Sequence, residues 1–318
     1  MREATVINDR INPAFRDYLN MMPESPLNEE ILPEKRRMIS SLVIKGHDEN
    51  ISKSEKIISG PEGAPDLRVI IYQPAERDSI LPGVLYIHGG GMVSGTPDME
   101  APHSEQIALE VNCVVVSVDY RLAPENPYPA ALEDCYAALK WFADHADELK
   151  VDPDRIALYG ESAGGGLAAA LALLARDRKG PAVAFQAPLY PMIDDRCETA
   201  SNYEITDQRI WNGISNRTAW KMYLGSLDRN NLPIYAAPAR AKDLSGLPPC
   251  YTFVGELDPF RDETIEYATR LIQSGVPTEF HLYPGCFHGF EGIVPDADIS
   301  KRANAEFFKV LRDALHKN

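Results

Sequence analysis

Short apolar runs recur along the chain, and most are followed by a longer stretch in which apolar residues return every three or four positions. Residues 84–87, 113–118, 155–159, 183–187, 250–254 and 278–283 are β-branched or aromatic and read as strands. The stretch after Pro129, the run Leu167-Ala168-Ala169-Ala170-Leu171-Ala172-Leu173-Leu174-Ala175, and residues 263–274 read as helices. Strands that are apolar on both sides belong in a sheet covered on both faces. Their alternation with helices predicts an α/β fold with a mostly parallel central sheet.

At the end of the strand 155–159 stands Gly160-Glu161-Ser162-Ala163-Gly164. A serine that must lift its hydroxyl clear of a strand-to-helix turn needs neighbours without a Cβ two positions away on each side, and Gly160 and Gly164 meet that need. At the end of the strand 84–87 comes His88-Gly89-Gly90-Gly91. A glycine run lets backbone N–H groups approach an ester and point at the oxygen that becomes negative during acyl transfer. A phosphate loop is the rival reading. The chain has no lysine or Ser/Thr at P-loop spacing and no G-x-G-x-x-G followed by an acidic residue.

A serine nucleophile of this type takes its acid and then its histidine from further down the chain. Only His281, His288 and His316 lie far enough along. His281 falls inside a strand pattern and reads as structural, and His316 in a charged terminal helix reads as solvated. His288, in a loop predicted to begin at Pro284, is the general base. Asp258 leaves the strand 250–254 and is the acid; its rivals are Glu256 and Asp262, the latter better placed to support a first helical turn.

Together with Asp119-Tyr120-Arg121-Leu122-Ala123-Pro124-Glu125, Asp258-Pro259-Phe260-Arg261-Asp262-Glu263 and His288-Gly289-Phe290, these motifs resemble the hormone-sensitive-lipase-like group of α/β-hydrolase esterases, the bacterial family IV carboxylesterases. The resemblance runs from about residue 55 to the C-terminus. It implies a triad of Ser162, Asp258 and His288, oxyanion donors at Gly90, Gly91 and Ala163, a helical cap, and short-chain ester hydrolysis. Two positions depart from the pattern: Met92 stands where many relatives carry an aromatic residue, and Glu161 where many carry aspartate. Amidase, lactonase and sugar-acetyl esterase activity, or a non-catalytic receptor, are alternatives on the same scaffold.

Residues 1–54 and about 194–227 are the expected cap segments, with residues 55–318 as the catalytic domain. Met92, Glu161, Tyr190, Ile210 and Phe287 are candidate pocket residues. The net charge of −15 disfavours nucleic acid and anionic membranes as partners and suits a neutral small-molecule ester. Five cysteines without paired spacing, no metal motif, no apolar leader and no run of membrane-spanning length predict a cytoplasmic enzyme without cofactor or metal. Cys113, Cys135 and Cys250 read as core, and Cys197 and Cys286 as accessible. A homodimer is left open.

Overall fold

The computed structural model describes residue 7 and residues 10–41 and 48–316. Residues 1–6, 8 and 9, most of the stretch 1–10 on which the reading of the leader rested, and a further part of the 1–54 segment lie outside the described residues. Eight strands form one sheet: β1 (Ile51–Ile58), β2 (Leu67–Pro74), β3 (Leu81–Ile87), β4 (Val114–Val118), β5 (Val151–Glu161), β6 (Phe185–Leu189), β7 (Cys250–Leu257) and β8 (Thr278–Phe287). Their spatial order is β1-β2-β4-β3-β5-β6-β7-β8. The pairs β1–β2 and β2–β4 are antiparallel, and the rest of the ladder is parallel. The antiparallel hairpin was not foreseen, and the boundary expected at residue 54 falls inside β1.

The helices are α1 (Arg16–Met21), α2 (Leu32–Ser41), α3 (Ala101–Val111), α4 (Ala130–Asp144), α5 (Ala146–Leu149), α6 (Ala163–Arg178), α7 (Ala200–Glu204), α8 (Gly213–Leu224), α9 (Arg261–Gln273), α10 (Phe290–Ile293) and α11 (Asp298–Leu315). The period-two alternation of the strands divides the core. Leu85, Ile87, Val114, Val116, Ile156 and Leu158 point to the side covered by α4, α6 and α9. Val84, Tyr86, Val115, Ala157 and Tyr159 point to the side covered by α3 and α11. On α11 the buried residues Ala303, Phe307, Leu311 and Leu315 fall one helical turn apart, so a single stripe faces the sheet.

Two elements run further than their sequence patterns. α6 begins at Ala163, although three glycines open it. Glycine is a poor helix former, yet a Cβ at Gly164 would strike the Ile87 carbonyl and one at Gly166 the Met192 carbonyl. Close packing therefore overrides propensity. β8 continues through Pro284 to Phe287, so His288 follows the strand directly rather than sitting within a loop. As the outer strand β8 can hold a proline. A bulge opposite Gly255 and Leu257 absorbs the extra residues, since those two pair with Tyr283 and Phe287.

Candidate functional site

The parallel strands β3, β5, β7 and β8 end at one edge of the sheet, and each delivers part of the site there. Ser162 stands between β5 and α6 with φ 56° and ψ −117°, backbone angles an L-residue adopts only when its surroundings impose them. The surroundings do so: its N–H donates to the Leu189 carbonyl at 3.0 Å, and its own carbonyl accepts from Gly166 and Met192, each at 2.9 Å. Beneath it, a Cβ at Gly160 would run into the Gly164 backbone.

Asp258 leaves β7 fully buried. One carboxylate oxygen accepts from the Phe260 amide at 2.8 Å, and the other lies 2.7 Å from His288 Nδ1. A carboxylate accepting at Nδ1 keeps the proton there and leaves Nε2 as an acceptor. His288 Nε2 is 2.9 Å from Ser162 Oγ. The imidazole is clamped edge-on between Tyr190 and Phe260, with ring centroids 5.0 and 5.1 Å away. The structure thus brings Ser162, His288 and Asp258 into one chain of hydrogen-bonding distances.

The rival residues are occupied elsewhere. Glu256 pairs with Arg10 and accepts from the Gly285 amide. Asp262 accepts from the Ser201 amide and pairs with Arg261. His281 lies 2.8 Å from a Glu279 carboxylate oxygen. His316, expected in solvent, is half-buried with Nε2 2.8 Å from the Val111 carbonyl.

After β3 the chain turns left-handed at Gly90 and Gly91, with φ of 114° and 66°. The Gly90 carbonyl accepts from the Val93 amide, the Ser94 amide and Ser94 Oγ. No backbone hydrogen bond among the described residues uses the amides of Gly90, Gly91 or Ala163. His88 anchors the turn: it is buried, stacked on Tyr120 at 4.1 Å, and burial lowers its pKa to about 4, so the ring is neutral near pH 7. The Tyr120 hydroxyl donates to the His88 carbonyl, the Ala123 amide donates to the Met92 carbonyl, and Arg121 forks onto Asp134. The 119–125 motif therefore braces the glycine loop from below.

A cleft of about 400 Å³ opens over Ser162 and His288. Of the candidate pocket residues, Glu161 and Tyr190 line it. Met92, Ile210 and Phe287 lie outside its lining. Met92 continues the left-handed turn with φ 61°, which sends its side chain into the core against α6. Phe287 packs edge-on against Phe15, and Ile210 is buried on the same side of the sheet. Wall residues that were not foreseen include Ile39 of α2, Met99, Glu100 and Ile293. Trp211 also faces the cleft, so close to the loop that a Cβ on Gly91 would come within 2.5 Å of its ring. A heptad-like spacing in α2 was the available signal for Ile39, because Leu32, Lys35, Arg36 and Ile39 are its inward positions.

Next to Ser162 lies a half-buried polar group, of which the sequence reading named only Glu161. Glu161 contacts the Tyr159 hydroxyl and lies 3.2 Å from His103 Nε2. Burial opposes its ionisation, but the charge and hydrogen bond of His103 prevail and hold the carboxyl below its usual range. Burial also works against a charged His103, and Glu161 outweighs it and raises that imidazole. Glu100 is pushed up to about 7 by burial and by the charge of Glu161. Glu291 accepts from the Tyr190 hydroxyl and is pushed to about 8, again by burial first and Glu161 second. Among the described residues no three His, Cys, Asp or Glu side chains are grouped to hold a metal ion, and no helix is long and apolar enough to cross a membrane.

All five cysteines are buried and unpaired. Cys197 and Cys286, expected to be accessible, lie in the two halves of the core, Cys197 within reach of the Asn216 amide at 3.4 Å.

Residues 84–292 match the family described as an alpha/beta hydrolase fold. The chain is 39% identical over 306 residues to "Esterase LipI" of Mycobacterium tuberculosis, covering 96% of each protein. It is 36% identical over 321 residues to "Carboxylesterase NlhH" of the same species, covering 99% of this chain and 100% of the relative. Among solved structures, "Bacterial Heroin Esterase" superposes with a TM-score of 0.92 at 39% identity, over 97% of this chain and 99% of the other.

Proposed function

The chain belongs to the α/β-hydrolase fold family, and on that footing we propose that it hydrolyses carboxylic esters through an acyl-enzyme on Ser162. One observation carries the reading: Ser162 Oγ, both nitrogens of His288 and Asp258 stand in sequence at 2.9 and 2.7 Å, with Ser162 and His288 on the floor of the cleft and Asp258 fully buried. Ser162 Oγ attacks the carbonyl carbon while His288 Nε2 takes its proton. The negative oxygen settles among the amides of Gly90, Gly91 and Ala163, where loss of one donor costs about 10²- to 10³-fold in rate. His288 returns the proton to the leaving alkoxide. Water then gives a proton to His288 as its oxygen attacks the acyl carbon, and Ser162 is released with the carboxylic acid.

Residues of α2, α7 and α8 form the cap in this reading, with Ile39 and Trp211 bounding the substrate. A cleft of this size suits acyl chains of about two to eight carbons. The motifs quoted from the sequence support the narrower hormone-sensitive-lipase-like assignment, and five unpaired thiols suit a reducing, cytoplasmic setting. β8 pairs on one side only and offers its outer edge to a second copy. The test is hydrolysis of p-nitrophenyl esters from acetate to palmitate by the wild type and by Ser162→Ala. Activity should peak at short chains and fall at least about 10³-fold in the variant. Equal rates in the two proteins would refute the reading.

A further inference from the structure

The cleft wall carries an asymmetry of charge that ester hydrolysis does not need. Its acidic members are Glu100 and Glu161, and among the described residues no lysine or arginine lines it. Glu161 has a partner in His103. Glu100 makes no ion pair with any described lysine or arginine, although it faces the space in which the substrate must lie. It stands at the N-cap position of α3, where its side chain makes no capping hydrogen bond. The groups around it are Glu161 at the end of β5, His103 on α3 and the Tyr86 hydroxyl on β3. Beyond them, on α10, Glu291 is 5% exposed, and its Oε2 has no hydrogen-bond partner among the described residues. Two aromatic residues, Tyr190 and Trp211, complete the wall. Two carboxylates, Glu100 and Glu161, thus share the one His103 imidazole, and a cleft left with net negative charge and lined by aromatic residues can hold an organic cation.

We infer that the cleft selects esters carrying a positive charge, an alkylammonium or similar cation within a few atoms of the ester group, and that Glu100 is the charge-selecting residue. The inference rests on the ester-hydrolase reading of the same cleft. Its pH dependence has a defined sign. Glu100 at about 7 is neutral below that pH and negative above it. Glu161 stays negative throughout, a protonated His103 offsets it at the acid end, and Glu291 adds its charge only above about 8. Preference for the cation therefore grows as pH rises from 6 to 8.

The experiment compares kcat/KM for charged and uncharged esters of matched shape. Acetylthiocholine against 3,3-dimethylbutyl thioacetate places the charge on the alcohol side. The p-nitrophenyl esters of trimethylglycine and of 3,3-dimethylbutanoic acid place it on the acyl side. Each charged-to-neutral ratio is measured from pH 6 to 8.5 in the wild type, Glu100→Gln and Glu100→Asp. In at least one pair the ratio should rise with pH in the wild type, fall about tenfold at pH 8 in Glu100→Gln, and be largely retained in Glu100→Asp. Comparing each ratio between proteins cancels the intrinsic reactivity of the esters and any general loss of activity. Ratios that Glu100→Gln leaves unchanged in both pairs overturn the inference. If Ser162→Ala cleaves the neutral esters as fast as the wild type, the failure belongs to the ester-hydrolase reading instead.

Discussion

The floor and the cover of the cleft are held by different physics. The floor consists of backbone turns at strand ends, packed so closely that glycine is obligatory at Gly160 and Gly164 and the left-handed Ser162 is pinned by three main-chain hydrogen bonds. The cover hangs on side chains that reach between distant parts of the chain. Arg36 of α2 donates to the carbonyls of Val93 and Ala123 and forks onto Glu125. Arg10 joins Glu204 of α7 to Glu256, and one main-chain bond, from the Ser25 amide to the Gln208 carbonyl, adds to these side-chain contacts. A floor set by sterics tolerates almost no change. A cover set by a few polar contacts can be retuned one residue at a time.

Substitutions can break this contrast or sharpen it. The largest effect is expected from Gly164→Val, whose side chain has no room beside the Ile87 carbonyl: Tm should fall by more than about 10 °C, or folded protein should fail to accumulate. A folded Gly164→Val with normal Tm would show that close packing does not hold the elbow. Next, Asp258→Asn should cut kcat on p-nitrophenyl acetate by about 10³- to 10⁴-fold, because the wrong tautomer of His288 is favoured. Arg36→Met touches only the cover. It should raise KM several-fold, change kcat less, and lower Tm by about 2–4 °C. A larger fall in kcat than in affinity would mean that α2 also positions the floor.

The smallest effect is a pH dependence of stability. Glu291 has a folded pKa raised to about 8, so the folded state favours its protonated form. Stability from this group is full below the ordinary carboxyl range and is lost as pH rises through about 8. Glu291→Gln should therefore gain a few degrees in Tm over the wild type at pH 9, and the difference should shrink toward pH 5. Thermal melts across that range decide it, and a constant offset would contradict the assignment.

The same contrast explains what could be read from the sequence. Floor residues are short-range: Ser162 needs glycines at fixed offsets, and an oxyanion loop needs a glycine run after a strand, so local patterns reveal them. The parallel strands declared themselves because both of their faces are buried. The antiparallel β1, with polar residues at most of its positions, gave no comparable signal. Cover and wall residues were misassigned because tertiary packing decides them. Met92 follows the glycine run, yet its positive φ turns it into the core, and Met99 takes a place on the wall instead. The His103–Glu161–Glu100 group joins the end of a strand to the first turn of a helix more than fifty residues earlier in the chain, and no spacing rule connects them.

The burial of every cysteine has a practical side. Desolvation raises the thiols of Cys113, Cys135, Cys197, Cys250 and Cys286 alike, so at neutral pH none offers a thiolate to an alkylating reagent. The native chain is thus a silent background for labelling. One cysteine introduced at Met38, which is 54% exposed on α2, would take up a maleimide fluorophore alone. Its emission, followed while substrate analogues are added, would show directly whether the cover shifts over a stationary floor.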